Sequence, residues 1–212
     1  STPKKTNPKR LFWICTLLFI LIVAGGGCGF ISATLSNLPD VSNVRPSASS
    51  QIYDVHGNLI TTVHSTENRL PVPLKDVPKD LQNAFVATED SRFYTHHGID
   101  PIGILRAVWV NIVHSGVSEG GSTITQQLAR NAFLSQDRTL KRKISEALLA
   151  LKIEQHYTKD EILEMYMNQI YFGQGAYGVQ SASHVYFGKD ASELTLAQAA
   201  LIAGLPQSPN YY

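Results

Sequence analysis

A charge-free stretch runs from Leu11 to Pro39, and its first 21 positions, Leu11 to Ile31, are almost entirely apolar. A helix over those positions is long enough to cross a hydrocarbon core of roughly 30 Å. Lys4, Lys5, Lys9 and Arg10 precede it, and Asp40 is the first acid in the chain. Basic residues on one flank predict that residues 1–10 stay in the cytoplasm and that the remainder faces outward. A cleaved signal peptide has the same pattern, and Gly25-Gly26-Gly27 before Cys28 resembles a lipoprotein cleavage site. An uncleaved anchor is the reading adopted, because Gly25 stands where such sites place a Leu-like residue.

Cys15 and Cys28 are the only cysteines and both lie in the apolar run. The outer part therefore has no disulfide framework or cysteine metal site of its own. The net charge of +1 and the outward placement argue against nucleic acid as a partner.

Beyond the anchor, residues 32–74 read as a linker and a short β-hairpin. Ile52-Tyr53-Asp54-Val55 and Leu59-Ile60-Thr61 flank a His56-Gly57-Asn58 turn. Residues 75–212 read as one mainly α-helical domain. Asp76 is expected to cap the first helix. Asp100-Pro101 opens a second, on which Ile104, Leu105, Val108, Trp109 and Ile112 recur at helical spacing. Thr158 with Glu161, and Thr195 with Gln198, form capping-box patterns.

Three clusters carry candidate chemistry. Glu89-Asp90-Ser91-Arg92-Phe93-Tyr94-Thr95-His96-His97-Gly98 sets two carboxylates at a helix end. Glu89 follows apolar residues, and partial desolvation would raise its pKa toward that of a useful general base. Asp90 is expected to orient Glu89 or to accept from Arg92. Adjacent His96 and His97 read as hydrogen-bonded structural groups rather than metal ligands. Gly120-Gly121-Ser122-Thr123 leads into a helix whose free amides suit phosphate, with Thr123, Gln127, Arg130 and Asn131 along one face. Arg138, Lys141, Arg142 and Lys143 surround Glu146. These read either as a surface ion-pair helix or as a cradle for pyrophosphate, in which case Arg142→Ala and Lys143→Ala would barely move the melting temperature yet strongly reduce turnover.

Taken in order, the motifs resemble the peptidoglycan glycosyltransferases of glycosyltransferase family 51, the N-terminal module of class A penicillin-binding proteins. The resemblance rests on Glu89 to Gly98, Gly120 to Gln127, Arg142 to Glu146, Lys159 to Asn168, Gly175 to Gly178, and Tyr186 to Lys189 with the Leu194 to Pro206 helix. It implies a lysozyme-like fold with a main lobe and a smaller membrane-facing jaw. It also implies polymerisation of lipid II into β-1,4-linked glycan with inversion and release of undecaprenyl pyrophosphate. Glu89 would be the base and Glu146 the second catalytic carboxylate. Asp90, Phe93, His96, Ser122, Thr123, Gln127, Arg130, Arg138, Arg142 and Lys143 would contact substrate. Arg130 stands where many family members carry Lys, which keeps the charge but changes its geometry.

The same resemblance implies a divalent cation, Mg2+ or Mn2+, at the pyrophosphate, and no organic cofactor. Partners would be lipid II, the growing strand, membrane lipid, moenomycin-type inhibitors and other cell-wall synthesis proteins. The location would be the bacterial cytoplasmic membrane, single-pass, with the domain outside. Ser1-Thr2-Pro3-Lys4 is the sole Ser-x-x-Lys and no Lys-Thr-Gly occurs, but the hairpin at Ile52 to Thr61 resembles class A enzymes more than monofunctional ones, so the chain reads as the truncated N-terminal part of a bifunctional protein. A monofunctional transglycosylase, a glycan-cleaving lysozyme-like enzyme and a non-catalytic cell-wall scaffold are the alternatives.

Overall fold

The computed structural model describes residues 29, 32–42, 50–57, 59–63, 68–114, 120–135, 137–209 and 211. The chain divides into Ser1–Pro39 and Asp40–Tyr212. In the first unit, residues 32–36 are helical. The apolar run lies almost entirely outside the described residues, and among the described residues no helix is long and apolar enough to cross a membrane.

The second unit is mainly helical. Strands β1 (Ser50–Tyr53) and β2 (Leu59–Val63) pair antiparallel, and two-residue strands β3 (Asn68–Arg69) and β4 (Ala176–Tyr177) pair parallel. Among the described residues, seven α-helices follow β3: α1 (Lys79–Glu89), α2 (Pro101–Val113), α3 (Ile124–Phe133), α4 (Leu140–His156), α5 (Lys159–Gln169), α6 (Val179–Phe187) and α7 (Leu196–Gly204).

Local chemistry fixes their starts. Thr123, Thr158 and Thr195 each accept a hydrogen bond from the backbone three residues on, and Gln126, Glu161 and Gln198 reach back to complete capping boxes. Asp100 caps α2 by accepting from Gly103 N, with Pro101 as the first helical residue. Asp76 caps no α-helix. It ends a 3-10 turn at Leu74–Asp76, and α1 begins after Pro78 instead. The proline fixes its own extended lead-in, and its carbonyl accepts from Leu81 N and Gln82 N to start the helix.

The core forms where α1 packs on α7 and where α3 packs on α4 and α5. Phe85 of α1 is fully buried and meets Tyr166 of α5 and Phe172 edge-on, with ring centroids 6.0 and 5.9 Å apart. The extended segment before α1 is held by side chains. Asn168 both accepts from Val72 N and donates to Val72 O at 2.8 Å, and Glu164 Oε2 accepts from Leu74 N at 2.7 Å.

Helix α2 departs from the expectation that periodic apolar residues face a core. Gly103 and Ala107 are buried, whereas Leu105, Trp109 and Ile112 are 70%, 69% and 69% exposed. The small residues let the Gly121 loop lie against α2: a Cβ on Gly121 would sit 3.3 Å from Ile104 Cα. The bulky side chains consequently form an outward apolar face.

Candidate functional site

Glu89 is the last residue of α1, and its position is set from both sides. On one side α1 ends at Asp90, whose N–H donates to Val86 O. On the other, Gln127 of α3 donates from Nε2 to Glu89 Oε2 at 2.7 Å. The second oxygen, Oε1, is buried without a hydrogen-bond partner. Burial pushes the Glu89 carboxyl above its ordinary value, and Asp90 adds to the rise. The Gln127 hydrogen bond and the Arg130 charge oppose it without cancelling it.

Glu89 lines a cavity of about 620 Å³ together with Ser91, Arg106, Ser122, Gln127 and Arg130. A second cavity of about 420 Å³ shares Gln127 and Arg130 and continues to Arg69, Asn131, Tyr171 and Tyr177. The carboxylate thus stands in one compartment of a two-part groove, with Gln127 and Arg130 at the junction. Its charged walls are Glu89 and Asp90 together with Arg69, Arg106 and Arg130.

Asp90 does not meet Arg92, which pairs with Asp100 instead. Asp90 is buried. Its carboxylate accepts from His96 Nε2 at 2.9 Å and from Ile124 N, the first residue of α3, at 3.0 Å. An anion at a helix N-terminus satisfies a free amide and complements the helix dipole. Asp90 therefore welds the end of α1 to the start of α3, which are the two elements that carry Glu89 and Gln127. His96 is buried and held by its Nε2 hydrogen bond to Asp90. Gly98 allows this turn to lie on α4: its φ is +79°, and a Cβ there would come within 2.9 Å of the Ala150 carbonyl.

Of the residues named from sequence as substrate contacts, Phe93, His96 and Thr123 are buried, and Asp90, also buried, lines the groove. Phe93 is fully buried, against His96 and beneath the Lys159 ammonium, 4.5 Å from its ring centroid. His96 and Asp90 are spent on each other. Thr123 is 2% exposed, and its hydroxyl donates to Gly98 O at 2.6 Å while capping α3. Phe93 and His96 stand behind the groove, Asp90 lines it, and Thr123 lines a small adjoining cavity with Glu89. Ser122, Gln127 and Arg130 do line it, as does Arg106, which sequence reasoning missed because it lies among the apolar residues of α2.

Glu146 is 0% exposed, which excludes an ordinary surface pair. Arg142 Nη1 donates to its Oε2 at 2.6 Å, and Lys143 Nζ donates to its Oε1 at 2.9 Å. Lys143 also donates to Ser122 Oγ at 2.7 Å, so the buried carboxylate reaches the groove through one lysine. Arg138 is exposed ahead of α4. Among the described residues, Arg138, Arg142, Lys143 and Glu146 line neither cavity. No group of three or more His, Cys, Asp and Glu among the described residues is arranged to hold a metal ion.

Residues 56–212 match the family model described as Transglycosylase. The chain is 50% identical over 206 residues to Penicillin-binding protein 1A of Escherichia coli (strain K12), covering 96% of this chain and 24% of that protein. It is 44% identical over 210 residues to Penicillin-binding protein 1F of Bacillus subtilis (strain 168), covering 98% of this chain and 29% of that protein. The chain thus spans about a quarter of the length of these relatives. The crystal structure of Penicillin-Binding Protein 1A from Haemophilus influenzae aligns at 29% identity with a TM-score of 0.36, over 78% of this chain and 15% of that one, too loosely to bear on the fold.

Proposed function

Because the chain belongs to the transglycosylase family, we propose that it is a peptidoglycan glycosyltransferase, the N-terminal module of a class A penicillin-binding protein. Its substrate is lipid II and its product a β-1,4-linked glycan strand. One observation carries the assignment of the base: Glu89, whose buried Oε1 has no hydrogen-bond partner, lines a groove whose other charged residues are Asp90, Arg106 and Arg130.

In the reaction, the acceptor 4-hydroxyl attacks the anomeric carbon of the donor sugar while Glu89 takes its proton. The bond from that carbon to the pyrophosphate oxygen breaks on the opposite face, so configuration inverts and undecaprenyl pyrophosphate leaves with the electron pair. Arg130 and Ser122 face the developing negative charge, whereas the amides of Thr123, Ile124 and Gln126 that were expected to suit phosphate are taken by Gln126, Asp90 and Thr123. Lys143 stands one contact further back and can exchange its Glu146 partner for phosphate. Glu146 holds Arg142 and Lys143 in place for that exchange. A divalent cation would find one carboxylate here, Glu146, already carrying two cations. Such an ion would be held chiefly by the phosphates of the substrate.

The proposed setting is the outer face of the cytoplasmic membrane, with the lysozyme-like main lobe built on α1, α3, α5 and α7. The apolar face of α2 forms the smaller lobe that meets lipid. The charge-free run at Leu11 to Ile31 and the exposure of Leu105, Trp109 and Ile112 support this. Incubating the purified chain with labelled lipid II tests the function. Polymer is expected, whereas cleavage of finished glycan with no polymer would make the chain a hydrolase.

A further inference from the structure

The Glu89 partner has a partner of its own. Tyr166 of α5 is 1% exposed, and its hydroxyl lies 3.4 Å from Gln127 Oε1. Its ring packs edge-on against Phe85 of α1. The contacts Tyr166 Oη to Gln127 Oε1 and Gln127 Nε2 to Glu89 Oε2 therefore connect α5, α3 and α1 in one line. Nothing in the site as described uses Tyr166, and it touches neither cavity.

We propose that Tyr166 is a positioning residue that orients the Gln127 amide so that its NH2, rather than its carbonyl, faces Glu89. A primary amide is nearly symmetric in shape and can present either end. A hydroxyl donor at one end demands the carbonyl there and leaves the NH2 for the carboxylate. Burial pushes the Tyr166 hydroxyl well above the ordinary phenol range, so it remains a donor throughout the working pH range. At 3.4 Å the contact is longer than a strong O–H···O bond, so its effect lies in selecting the amide orientation rather than in binding energy. With the amide reversed, a carbonyl oxygen would face the carboxylate of Glu89, and the protonated acid would be favoured.

The other groups around Glu89 do not perform this selection. Asp90 follows it on the chain, Arg130 approaches from α3 and Arg106 shares the cavity from α2. Helix α7, packed along α1, contributes no ionisable side chain. The proposal rests on reading Glu89 as the base.

The test follows the Glu89 carboxyl by carbon-13 NMR in the whole chain, alongside the pH–rate profile of lipid II polymerisation. Tyr166→Phe keeps the ring and removes the hydroxyl. It is expected to move the Glu89 titration, and the acid limb of the rate, to higher pH by about half a unit or more, the size of one modest hydrogen bond. Gln127→Leu should produce at least that shift alone, and adding Tyr166→Phe to it should produce no more. An unchanged Glu89 titration in Tyr166→Phe overturns the proposal, as does an equal shift on the Gln127→Leu background. Should Tyr166→Phe fail to fold, an unchanged Glu89 titration in Gln127→Leu overturns it as well. If the titrations behave as stated while the wild-type chain makes no polymer, the relay stands and the functional reading falls.

Discussion

Gln127 Nε2 and Glu89 Oε2, 38 positions apart in sequence, lie 2.7 Å apart across the α1–α3 junction. That one bond holds a carboxyl whose pKa burial raises, and the second oxygen, Oε1, stays buried without a hydrogen-bond partner. Activity and stability are set against each other at this residue.

The first prediction is that conflict read by pH. The folded protein holds the Glu89 carboxyl above its ordinary value of 4.5. The stabilising contribution of the neutral acid is complete below that ordinary value and is lost as pH rises through the raised one. A base must be ionised, so turnover should rise over the same window. Melting temperature measured from acid to neutral pH should fall less steeply for Glu89→Gln than for wild type. Parallel curves would show that Glu89 is not desolvated.

The second concerns Glu146. A fully buried carboxylate with two cations should not tolerate loss of a partner. Glu146→Gln is expected to destabilise by about 3–5 kcal/mol, and Arg142→Ala by about 1–3 kcal/mol. Lys143, with a side chain 43% exposed, should matter less to stability and more to turnover. Denaturant unfolding of the three variants checks the order. The expectation from sequence, that Arg142→Ala and Lys143→Ala barely move the melting temperature while strongly reducing turnover, holds only if both melt like wild type.

Asp90 gives a third prediction. Asp90→Ala leaves His96 Nε2 and Ile124 N buried without their acceptor, at a cost of about 2–4 kcal/mol. Asp90→Asn keeps an acceptor for Ile124 N and should recover part of that. Equal melting of both variants would show that the weld between α1 and α3 is unimportant.

A fourth concerns the outward face of α2. Replacing Leu105 and Trp109 with Ser should leave the fold intact, since both are exposed. Vesicle binding and turnover of vesicle-embedded lipid II should drop severalfold, with smaller losses in detergent. Unaffected vesicle binding would separate this face from lipid.

Much of the helical plan was legible in the sequence, because caps act locally. Thr158 with Glu161, Thr195 with Gln198, and Asp100 with Pro101 start helices through contacts within four residues. Asp76 was misleading because Pro78 already fixes the entry to α1. Periodicity along α2 revealed an apolar face but not what covers it. Within the site, the residue types at Glu89, Ser122, Gln127 and Arg130 were readable from motifs, and the division of labour was not. Whether Asp90 turns to Arg92 or to His96 depends on where Asp100 sits. Whether Glu146 is exposed depends on the packing of α4. The Tyr166–Gln127–Glu89 line joins three helices and has no local signature.

The most direct measurement compares wild type and Glu89→Gln side by side, recording polymer formed from labelled lipid II and lipid II binding. The account predicts polymer from the wild-type chain, a loss of about 10²–10⁴-fold in Glu89→Gln, and binding unchanged in both. Polymerisation by Glu89→Gln at near the wild-type rate would contradict it.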